Sequence, residues 1–426
     1  MKAAGMFGDR RLDLLEAPLS DLGRRGLVEA GLARRVGIVA RLAGTLSTGA
    51  DAVRSALSGE SLAQEMGSSR ASVHKHVGQL RAQGFSVESV AGVGYRLTAP
   101  FDDLVAGEAV LPYVLLCSRA AEGHSAAEES HAGQELLATE ECRVGEQPPA
   151  FEQMWVAGLP YVYRASCDST NRALRDMMAA GDLPAGATVV ADHQTQGRGR
   201  LDRVWRDEAG KDLTLSVLLR PSLAPGQAHL LSLAAALAVA ETAEEYLGPQ
   251  VPVGVKWPND VVVGDRKLCG ILAEGSMDAD RLRWAIVGVG LNVNSQCSSI
   301  AATIEAEDQG GLAGRPAPVS LRDLVGEVPR APLLATLLER LTLHWTDLER
   351  SSGAAKVLAG LRKRDVLLGR PLQVFGGSAR GGTEREEVVS GVGAGLGPEG
   401  QLLVRAASGD TVAVFAGDVT LRKASA

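Results

Sequence analysis

The sequence has 426 residues and a net charge of −7, with 45% hydrophobic and 22% charged residues. A chain of this length is too long for one compact core, so we expect two to four domains. The acidic balance excludes a protein that coats nucleic acid throughout. It is compatible with a local basic face, because charge acts over about 8–10 Å.

The sequence gives no support for a membrane or secreted protein or for a dedicated metal site. Residues 1–11 carry early charges and no apolar core follows them, which predicts that a signal peptide is absent. The longest apolar stretch, near Leu230–Ala240, is about half as long as the roughly 20 residues that span a bilayer. The five cysteines form no C-x-x-C pair and the seven histidines no H-E-x-x-H cluster, so we expect reduced thiols and no dedicated metal site. We therefore expect a cytoplasmic protein without a membrane partner.

Residues 1–33 show no strong pattern and are expected to form a loosely ordered extension, whereas residues 34–100 predict helices followed by a short hairpin. A run at 60–67 predicts a short helix that ends at a glycine suited to the left-handed region, and Ser68 or Ser69 can cap the next helix. One face of that second helix is apolar at i, i+4, i+7 spacing, through Val73, Val77 and Leu80.

The second helix and the hairpin after it, with strands at 87–90 and 95–97, predict a winged helix-turn-helix. In such a domain Arg and Lys side chains contact phosphates, and short polar side chains on the exposed helix face read base edges. A three-helix protein-docking module is the alternative interpretation of this segment. The candidate DNA-binding residues are Ser69, Arg70, Ser72, His74 and Lys75.

The rest of the chain divides into a linker and two further domains. Residues 101–154 contain an acidic, low-complexity insertion at 117–150 and are expected to form the linker. Residues 155–355 alternate apolar β-type runs with helical stretches, which indicates an α/β domain. Residues 356–426 contain short β-type runs between Gly-rich turns, which fits a small barrel. The α/β domain has predicted strands at Ala187–Ala191, Leu213–Leu219, Val251–Trp257, Leu268–Ala273 and Leu282–Gly288, and predicted long helices at Gln227–Leu247 and Ala331–Leu348.

The most unusual stretch is Gln194–Trp205, which carries two glycines and three arginines. Glycines let backbone amides approach an anion closely, and arginines supply charge together with forked donors. This combination suits a nucleotide phosphate. A nucleic-acid patch and a solvated basic loop are the alternatives that the motif leaves open.

Four further motifs lie in the same domain. In Lys256–Asp260 the proline ends a β-type run and leaves an asparagine and an aspartate at the mouth of the strand, although Asn-Asp is also an everyday turn pair. Lys267 comes directly before an apolar run, where it is either solvated or placed to hold a developing negative charge. Asp168–Asn171 precedes a helical stretch and would serve as its N-cap even without another function. Gly288–Asn294 ends a strand, and its glycines allow a ligand to lie against the backbone.

In chain order these motifs read Ser-Thr-Asn, Gln-x-x-Gly-Arg-Gly-Arg, Lys-Trp-Pro-Asn-Asp, Arg-Lys-Leu-x-Gly-Ile-Leu and Gly-x-Gly-x-Asn, and the set resembles the biotin protein ligases. Ser69–Ala71, His74–His76 and Gly92–Tyr95 resemble the winged helix of the regulatory bacterial members, and Gly391–Arg422 resembles their C-terminal domain. The resemblance implies a multidomain α+β protein. Its parts would be an N-terminal winged helix-turn-helix, a central class II synthetase-like α/β catalytic domain at 155–355 and a C-terminal SH3-like β-barrel at 356–426.

The resemblance implies a reaction in two steps. The biotin carboxylate attacks the α-phosphate of ATP, which Mg²⁺ accompanies, to give biotinyl-5′-AMP and pyrophosphate. A lysine of the biotin carboxyl carrier protein then attacks the mixed anhydride and releases AMP. The resemblance also implies a biotin-responsive repressor that forms a homodimer on binding biotinyl-AMP and binds operator DNA. The alternatives are a DNA-binding biotin sensor whose catalysis has decayed and a lipoate ligase-like acyltransferase.

The resemblance also assigns roles to residues. Those expected to bind biotin are Ser169, Thr170, Asn171, Gln194, Arg198, Gly199, Arg200 and Lys267. Those expected to bind ATP or the adenylate are Arg198, Arg200, Trp205, Lys256, Asn259 and Asn292. Those expected to act in catalysis are Arg198, Lys256, Asp260 and Lys267.

One departure from the family pattern concerns the phosphate loop. Regulatory members often continue Gly-Arg-Gly-Arg with Arg-Gly, whereas this chain continues with Leu201 and Asp202. We expect the aspartate to place a negative charge beside the loop. That charge would affect retention of the adenylate and the coupling of loop ordering to dimerisation.

Overall fold

The computed structural model describes residues 28–43, 56–114, 156–278, 280–301, 316–376 and 387–421. The chain divides into two compact units, Met1–Leu159 and Pro160–Ala426. The predicted extension up to residue 27 and the predicted insertion at 117–150 lie outside the described residues. Within the described ranges, no helix is both long and apolar enough to cross a membrane.

The first unit contains the predicted helix pair and hairpin. Ser69 caps the second helix of the pair, because its Oγ accepts a hydrogen bond of 3.2 Å from Ser72 N. The predicted apolar face of that helix is buried, which explains its packing against the helix before it. The elements of this unit are α1 (Ala30–Ala43), α2 (Gly59–Glu65), α3 (Arg70–Ala82), β1 (Val87–Val90) and β2 (Gly94–Leu97).

The helices of this unit extend beyond the predicted domain bounds of 34–100 at both ends. Helix α1 begins at Ala30, inside the predicted extension. Residues 107–114 are helical and buried, inside the predicted linker. The physical reason is composition, because the apolar side chains at 109–111 and 113–114 have core to fill and are at most 3% exposed.

The second unit is built on a seven-stranded sheet in the order β3-β4-β5-β9-β8-β7-β6. Strands β3 and β4 run parallel, and every other neighbouring pair in this sheet is antiparallel. The predicted strands are present, and β8 and β9 extend beyond their predicted ends. The strands are β3 (Tyr161–Arg164), β4 (Thr188–Ala191), β5 (Leu213–Leu219), β6 (Val253–Lys256), β7 (Asp260–Val263), β8 (Arg266–Met277) and β9 (Leu282–Leu291).

Five helices of this unit have both ends among the described residues, and residues 297–301 are also helical. Helix α4 (Thr170–Ala180) packs on the sheet through Leu174, which lies in a buried cluster with residues of β4, β5 and β9. The long helices α5 (His229–Leu247) and α7 (Arg330–Leu348) lie close to their predicted bounds and contact each other, and Trp345 Nε1 donates to Leu231 O at 3.0 Å. The shorter helices are α6 (Arg322–Val325) and α8 (Gly353–Arg362).

A five-stranded antiparallel sheet follows, in the order β13-β12-β11-β10-β14. No strand pairing joins β13 to β14 in the described ranges, so the sheet is open there and the SH3-like barrel stays a prediction. The turn before β12 contacts the larger sheet, because Trp257 Nε1 donates to Gly400 O at 3.2 Å. The strands are β10 (Pro371–Phe375), β11 (Glu387–Leu396), β12 (Leu402–Ala406), β13 (Thr411–Val414) and β14 (Asp418–Leu421).

Candidate active site

A cavity of about 590 Å³ opens on the second unit. Its wall is formed by the start of α4, the loop at 194–206, the adjoining parts of β7, β8 and β9, and the segments at 300–301 and 316–318. Asp418, at the start of β14, completes the lining. Segments that are more than 200 residues apart in the sequence therefore meet around one concave surface.

The start of α4 is capped from outside the helix. Ser169 occupies the N-cap position, as predicted, but its side chain makes no capping hydrogen bond. The backbone N–H of Thr170, which has no acceptor within the helix, instead donates to Gln194 Oε1 at 2.8 Å. Ser169 lines the cavity, and its hydroxyl makes no capping bond to the helix.

Gln194 is itself fixed by a buried carboxylate behind it. Gln194 N donates to Asp207 Oδ2 at 3.2 Å, and His193 Nδ1 lies 2.9 Å from the same oxygen. Burial raises the pKa of Asp207, although the hydrogen bonds from His193 and Gln194 oppose the shift. The side chain of Gln194 therefore reaches the cavity from a rigid base.

The predicted phosphate loop folds back on itself. Gly199 N donates to Arg203 O at 2.7 Å, and Trp205 N donates to Gly197 O at 2.9 Å. Leu201, at the tip, has φ 56° and ψ 44°, a left-handed conformation that costs a non-glycine residue about 1–2 kcal/mol. Backbone strain of this kind is concentrated at binding sites. The side chain of Asp202 lies outside the described residues, so its predicted charge effect stays a prediction.

Two arginines of the loop contact the C-terminal sheet. The guanidinium of Arg203 forms an ion pair with the carboxylate of Asp418. Arg200 Nη2 donates to Gly417 O at 3.1 Å, and its Nη1 lies 3.4 Å from Asn259 Oδ1. Burial lowers the pKa of Arg200, while Asp418 and Asp260 oppose that shift. The C-terminal sheet therefore holds the loop over the cavity.

The indole of Trp205 packs against Gly270 on β8 and against Gly290 near the end of β9. A Cβ atom at Gly290 would lie 2.4 Å from Cε2 of Trp205, so only glycine leaves room for the ring. The indole N–H is buried and has no hydrogen-bond partner among the described residues. Other atoms of the Trp205 side chain line the cavity.

The charged centre of the cavity is an ion pair of 2.6 Å between Lys267 Nζ and Asp260 Oδ1. Lys267 Nζ also lies 5.9 Å from the centroid of the Trp205 ring. Lys256 is 8% exposed and does not line the cavity, whereas every other residue predicted to bind biotin or ATP or to act in catalysis does. Burial lowers the pKa of Lys256, and the nearby carboxylates of Asp260 and Asp418 oppose the shift.

The two asparagines predicted to bind ATP are held by hydrogen bonds to the backbone. Asn259 Nδ2 donates to Ile271 O at 2.6 Å, which joins the turn between β6 and β7 to β8. Asn292 Nδ2 donates to Val319 O at 3.1 Å and to Lys267 O at 3.3 Å. Both residues line the cavity, and both also fix the backbone that carries the charged centre.

Of the predicted site residues, those that line the cavity are Ser169, Thr170, Asn171, Gln194, Arg198, Gly199, Arg200, Trp205, Asn259, Asp260, Lys267 and Asn292. The sequence interpretation missed Arg203 and Asp418 as site residues. Arg203 lies inside the recognised loop motif, so its position was a usable signal. Asp418 has no local signal, because only the fold brings it to Arg203. No group of three side chains able to hold a metal occurs in the described part of the chain.

The candidate DNA-binding residues lie together on α3 and the turn before it. Ser69, Arg70, His74 and Lys75 are exposed, and Ser72 is half-buried. His74 Nδ1 lies 3.1 Å from Tyr95 Oη on β2, so this histidine links the helix to the hairpin.

Comparison with known proteins gives two family matches. Residues 163–292 match the biotin/lipoate A/B protein ligase family, and residues 52–96 match an HTH domain. A biotin–[acetyl-CoA-carboxylase] ligase of Mycobacterium tuberculosis is 33% identical over 257 residues, which cover 60% of this chain and 86% of that protein. The bifunctional ligase/repressor BirA of Bacillus subtilis is 33% identical over 240 residues, which cover 56% of this chain and 61% of that protein.

Among solved structures, a biotin protein ligase from Aquifex aeolicus in complex with biotin and ATP is similar to this chain, with 27% identity and a TM-score of 0.47. The match covers 62% of this chain and 98% of that chain. A ligase from Paracoccus denitrificans is 30% identical over 249 residues, which cover 95% of its length. Because the ligases of Mycobacterium tuberculosis and Paracoccus denitrificans are 33% and 30% identical over 86% and 95% of their own length, the chain belongs to the family of biotin protein ligases.

Proposed function

We propose that the second unit is an ATP-dependent biotin–[acetyl-CoA-carboxylase] ligase. The observation that carries this proposal is the convergence of the five family motifs on one cavity, from Ser169 before α4 to Asn292 after β9. In the first step a biotin carboxylate oxygen attacks the α-phosphorus of ATP, and pyrophosphate leaves. In the second step the amine of a lysine on a carrier protein attacks the acyl carbon of biotinyl-5′-AMP, and AMP leaves.

The cavity suits the first step because it concentrates positive charge. Two anions must meet there, so catalysis depends on positioning and on electrostatic stabilisation of the charge that grows on the phosphate. Arg198, Arg200 and Lys267 supply that charge from the cavity wall. Arginine presents a planar fork that matches phosphate and carboxylate oxygens.

Mg²⁺ is expected to enter with ATP. The carboxylates that line the cavity, Asp260 and Asp418, are already paired with Lys267 and Arg203. These oxygens suit Mg²⁺, which prefers one or two carboxylates and takes its other ligands from phosphates and water. When bound, the ion would neutralise charge on the triphosphate.

Asp260 is placed for the second step. Its carboxylate lies at the charged centre, where it can accept a hydrogen bond from an incoming lysine and orient the amine. Lys256 is buried, does not line the cavity and is the register partner of Asp260, so we propose that it tunes the charge of Asp260 without contacting the substrates.

Mass spectrometry of a carrier domain incubated with this protein, biotin and ATP tests the proposal. We expect biotin on one lysine of the carrier domain, and its absence would refute the ligase. A parallel incubation with lipoate in place of biotin tests the lipoate ligase-like alternative. Lipoate on the carrier domain would favour that alternative, and its absence would exclude it. Biotin-dependent release of pyrophosphate separates an active ligase from a biotin sensor whose catalysis has decayed.

We also propose that the first unit binds operator DNA as a winged helix-turn-helix at 34–100 and makes the protein a biotin-responsive repressor. The HTH match at 52–96 and the exposed polar side chains of α3 support this second function. The domain limits 101–154, 155–355 and 356–426, the SH3-like character of the last one, the cytoplasmic location and a homodimer formed on binding biotinyl-AMP belong to the same proposal. Operator binding measured with and without the adenylate, at stated salt, is the test. Equal affinity in both states would refute the switch.

A further inference from the structure

A continuous run of hydrogen bonds leads from the cavity wall to a carboxylate outside the cavity. Glu274 Oε2 accepts from Asn171 Nδ2 at 2.7 Å and pairs with Arg175 Nη2 at 2.8 Å. Ser216 Oγ lies 2.6 Å from Asn171 Oδ1 and 2.7 Å from Thr170 Oγ1. Thr170 and Asn171 line the cavity, whereas Ser216 and Glu274 do not. Ser216 is fully buried.

The chemistry of the run determines the direction of each bond. An ionised carboxylate only accepts, so Glu274 requires the amide nitrogen of Asn171 and turns its Oδ1 towards Ser216. The single hydroxyl proton of Ser216 is then committed to Asn171 Oδ1. The hydroxyl proton of Thr170 must go to Ser216 Oγ or to Gln194 Oε1, its two neighbouring acceptors.

The other end of the run is fixed by the backbone. Thr170 N–H can only donate, so the Gln194 atom that faces it is the oxygen, Oε1. The amide nitrogen of Gln194 is then left for a ligand, and the hydrogen bonds of this side chain among the described residues all go to its Oε1. The cavity wall therefore offers an acceptor at Thr170 Oγ1 and a donor at Gln194 Nε2.

A neighbouring glycine makes room for this arrangement. A Cβ atom at Gly288 on β9 would lie 2.4 Å from Asn171 Oδ1, which is far inside van der Waals contact. Thr170 and Asn171 are 3% and 4% exposed, so water does not compete for their bonds.

We propose that Ser216 and Glu274 are positioning residues for biotin. They fix the polarity of Thr170 and Asn171, beside the oriented Gln194, so that the wall matches the N–H donors and the carbonyl acceptor of a cyclic urea. This inference rests on the proposed ligase function, and neither residue touches the substrate.

Kinetics of the full-length protein separate positioning from a structural role. Ser216→Ala is expected to raise KM for biotin about tenfold, the worth of one hydrogen bond, with KM for ATP and kcat within about twofold of wild type. Thr214→Val is the matched control, since it removes a buried hydroxyl of the same strand whose partner is Ala191 O, at 2.8 Å. An equal change in KM for biotin in both variants would overturn the inference.

A polarity exchange gives the sharper test, and it does not depend on the folding of Ser216→Ala. Asn171→Asp sets two carboxylates against each other and is expected to raise KM for biotin at least about tenfold. Adding Glu274→Gln restores a donor opposite that carboxylate and is expected to recover most of the loss. A double variant no better than Asn171→Asp contradicts the inference. Absence of biotin-dependent pyrophosphate release in the wild type would instead refute the ligase function itself.

Discussion

Lys267 Nζ and Asp260 Oδ1 are 2.6 Å apart, and this ion pair joins two of the family motifs inside the cavity. Asp260 begins β7 and Lys267 lies near the start of β8, and these strands are neighbours in the sheet. The side chain of Asp260 is 16% exposed and that of Lys267 is 27% exposed, so the pair is partly shielded from water. A phosphate or carboxylate of a ligand can therefore compete with Asp260 for the ammonium group of Lys267. The ion pair already holds that ammonium group in position.

Removal of Lys267 tests the role of this charge. Lys267→Ala is expected to lower kcat/KM for adenylate formation at least about 100-fold, because a preorganised cation would be lost where negative charge grows. The measurement is biotin-dependent pyrophosphate release, followed by labelling of a carrier domain. Lys363→Ala removes an exposed lysine at the end of α8 and serves as the control. Unchanged labelling in Lys267→Ala would refute the assigned site.

The contact of the loop with the C-terminal sheet makes a second prediction. Arg203→Ala and Asp418→Ala should each slow adenylate formation, and the double variant should be little worse than either one. The expected coupling free energy is about 0.5–3 kcal/mol, because the two groups interact directly. Arg370 and Asp265 form an exposed pair of 2.9 Å in the same unit, and its coupling is expected to be about 0–1 kcal/mol. Additive effects at Arg203 and Asp418 would show that the pair does not hold the loop.

Gly290 makes a third prediction. Gly290→Ala places a methyl group where the Trp205 ring lies, so we expect a loss of about 1–3 kcal/mol in stability from overpacking. We also expect KM for ATP to rise several-fold, since the ring is the predicted contact of the adenine. Gly226→Ala is the control, because its added methyl would meet nothing within 4 Å. Thermal unfolding and ATP titration in both variants are the measurements, and equal behaviour would contradict the packing argument.

The DNA-binding proposal makes a fourth prediction at Lys75. This side chain is exposed on α3, where it would contact a phosphate and carry no sequence information. Lys75→Ala is expected to weaken operator and non-operator binding alike and to reduce the slope of log K against log salt by about 1. Binding measured at three salt concentrations gives that slope. A change restricted to the operator would instead assign Lys75 to base reading.

Local patterns predicted the elements of both units well. The apolar spacing of α3 and the strand runs of the large sheet are signals within one segment, and the structure contains those elements close to their predicted bounds. The motifs around Gln194 and Lys267 were recognisable for the same reason. The cap of α4 was misjudged because its partner, Gln194, lies 24 residues away and no local rule connects the two.

The missed features depend on distance in the sequence. Asp418 and Arg203 are separated by 215 residues, and Ser216 reads as an ordinary residue of a buried strand. Lys256 does not line the cavity, although it is the register partner of Asp260, and its motif did not show this. The positions of these residues depend on tertiary packing, which no single segment of the sequence encodes.

Asp212 is a buried carboxylate near the cavity that has no role in the proposed reaction. It is 2% exposed, and its oxygens accept from the backbone N–H groups of Val293 and Glu208, at 2.8 and 3.1 Å. These bonds join the loop before β5 to the loop after β9. Burial nevertheless raises the pKa of Asp212 to about 6 from 3.8, because loss of hydration outweighs the hydrogen bonds.

The raised pKa fixes the sign of a pH dependence. As the pH falls from about 7 to about 4, the folded protein takes up a proton at Asp212 before the unfolded chain does. The free energy of unfolding therefore gains a contribution of up to about 3 kcal/mol towards low pH, and loses it as the pH rises through 6. Asp212→Asn has no titrating group and lacks this term. Denaturant unfolding of both proteins between pH 4.5 and 7.5 should show the wild type gaining stability over the variant as the pH falls. A difference that is flat or grows with rising pH would show that Asp212 does not titrate in this range.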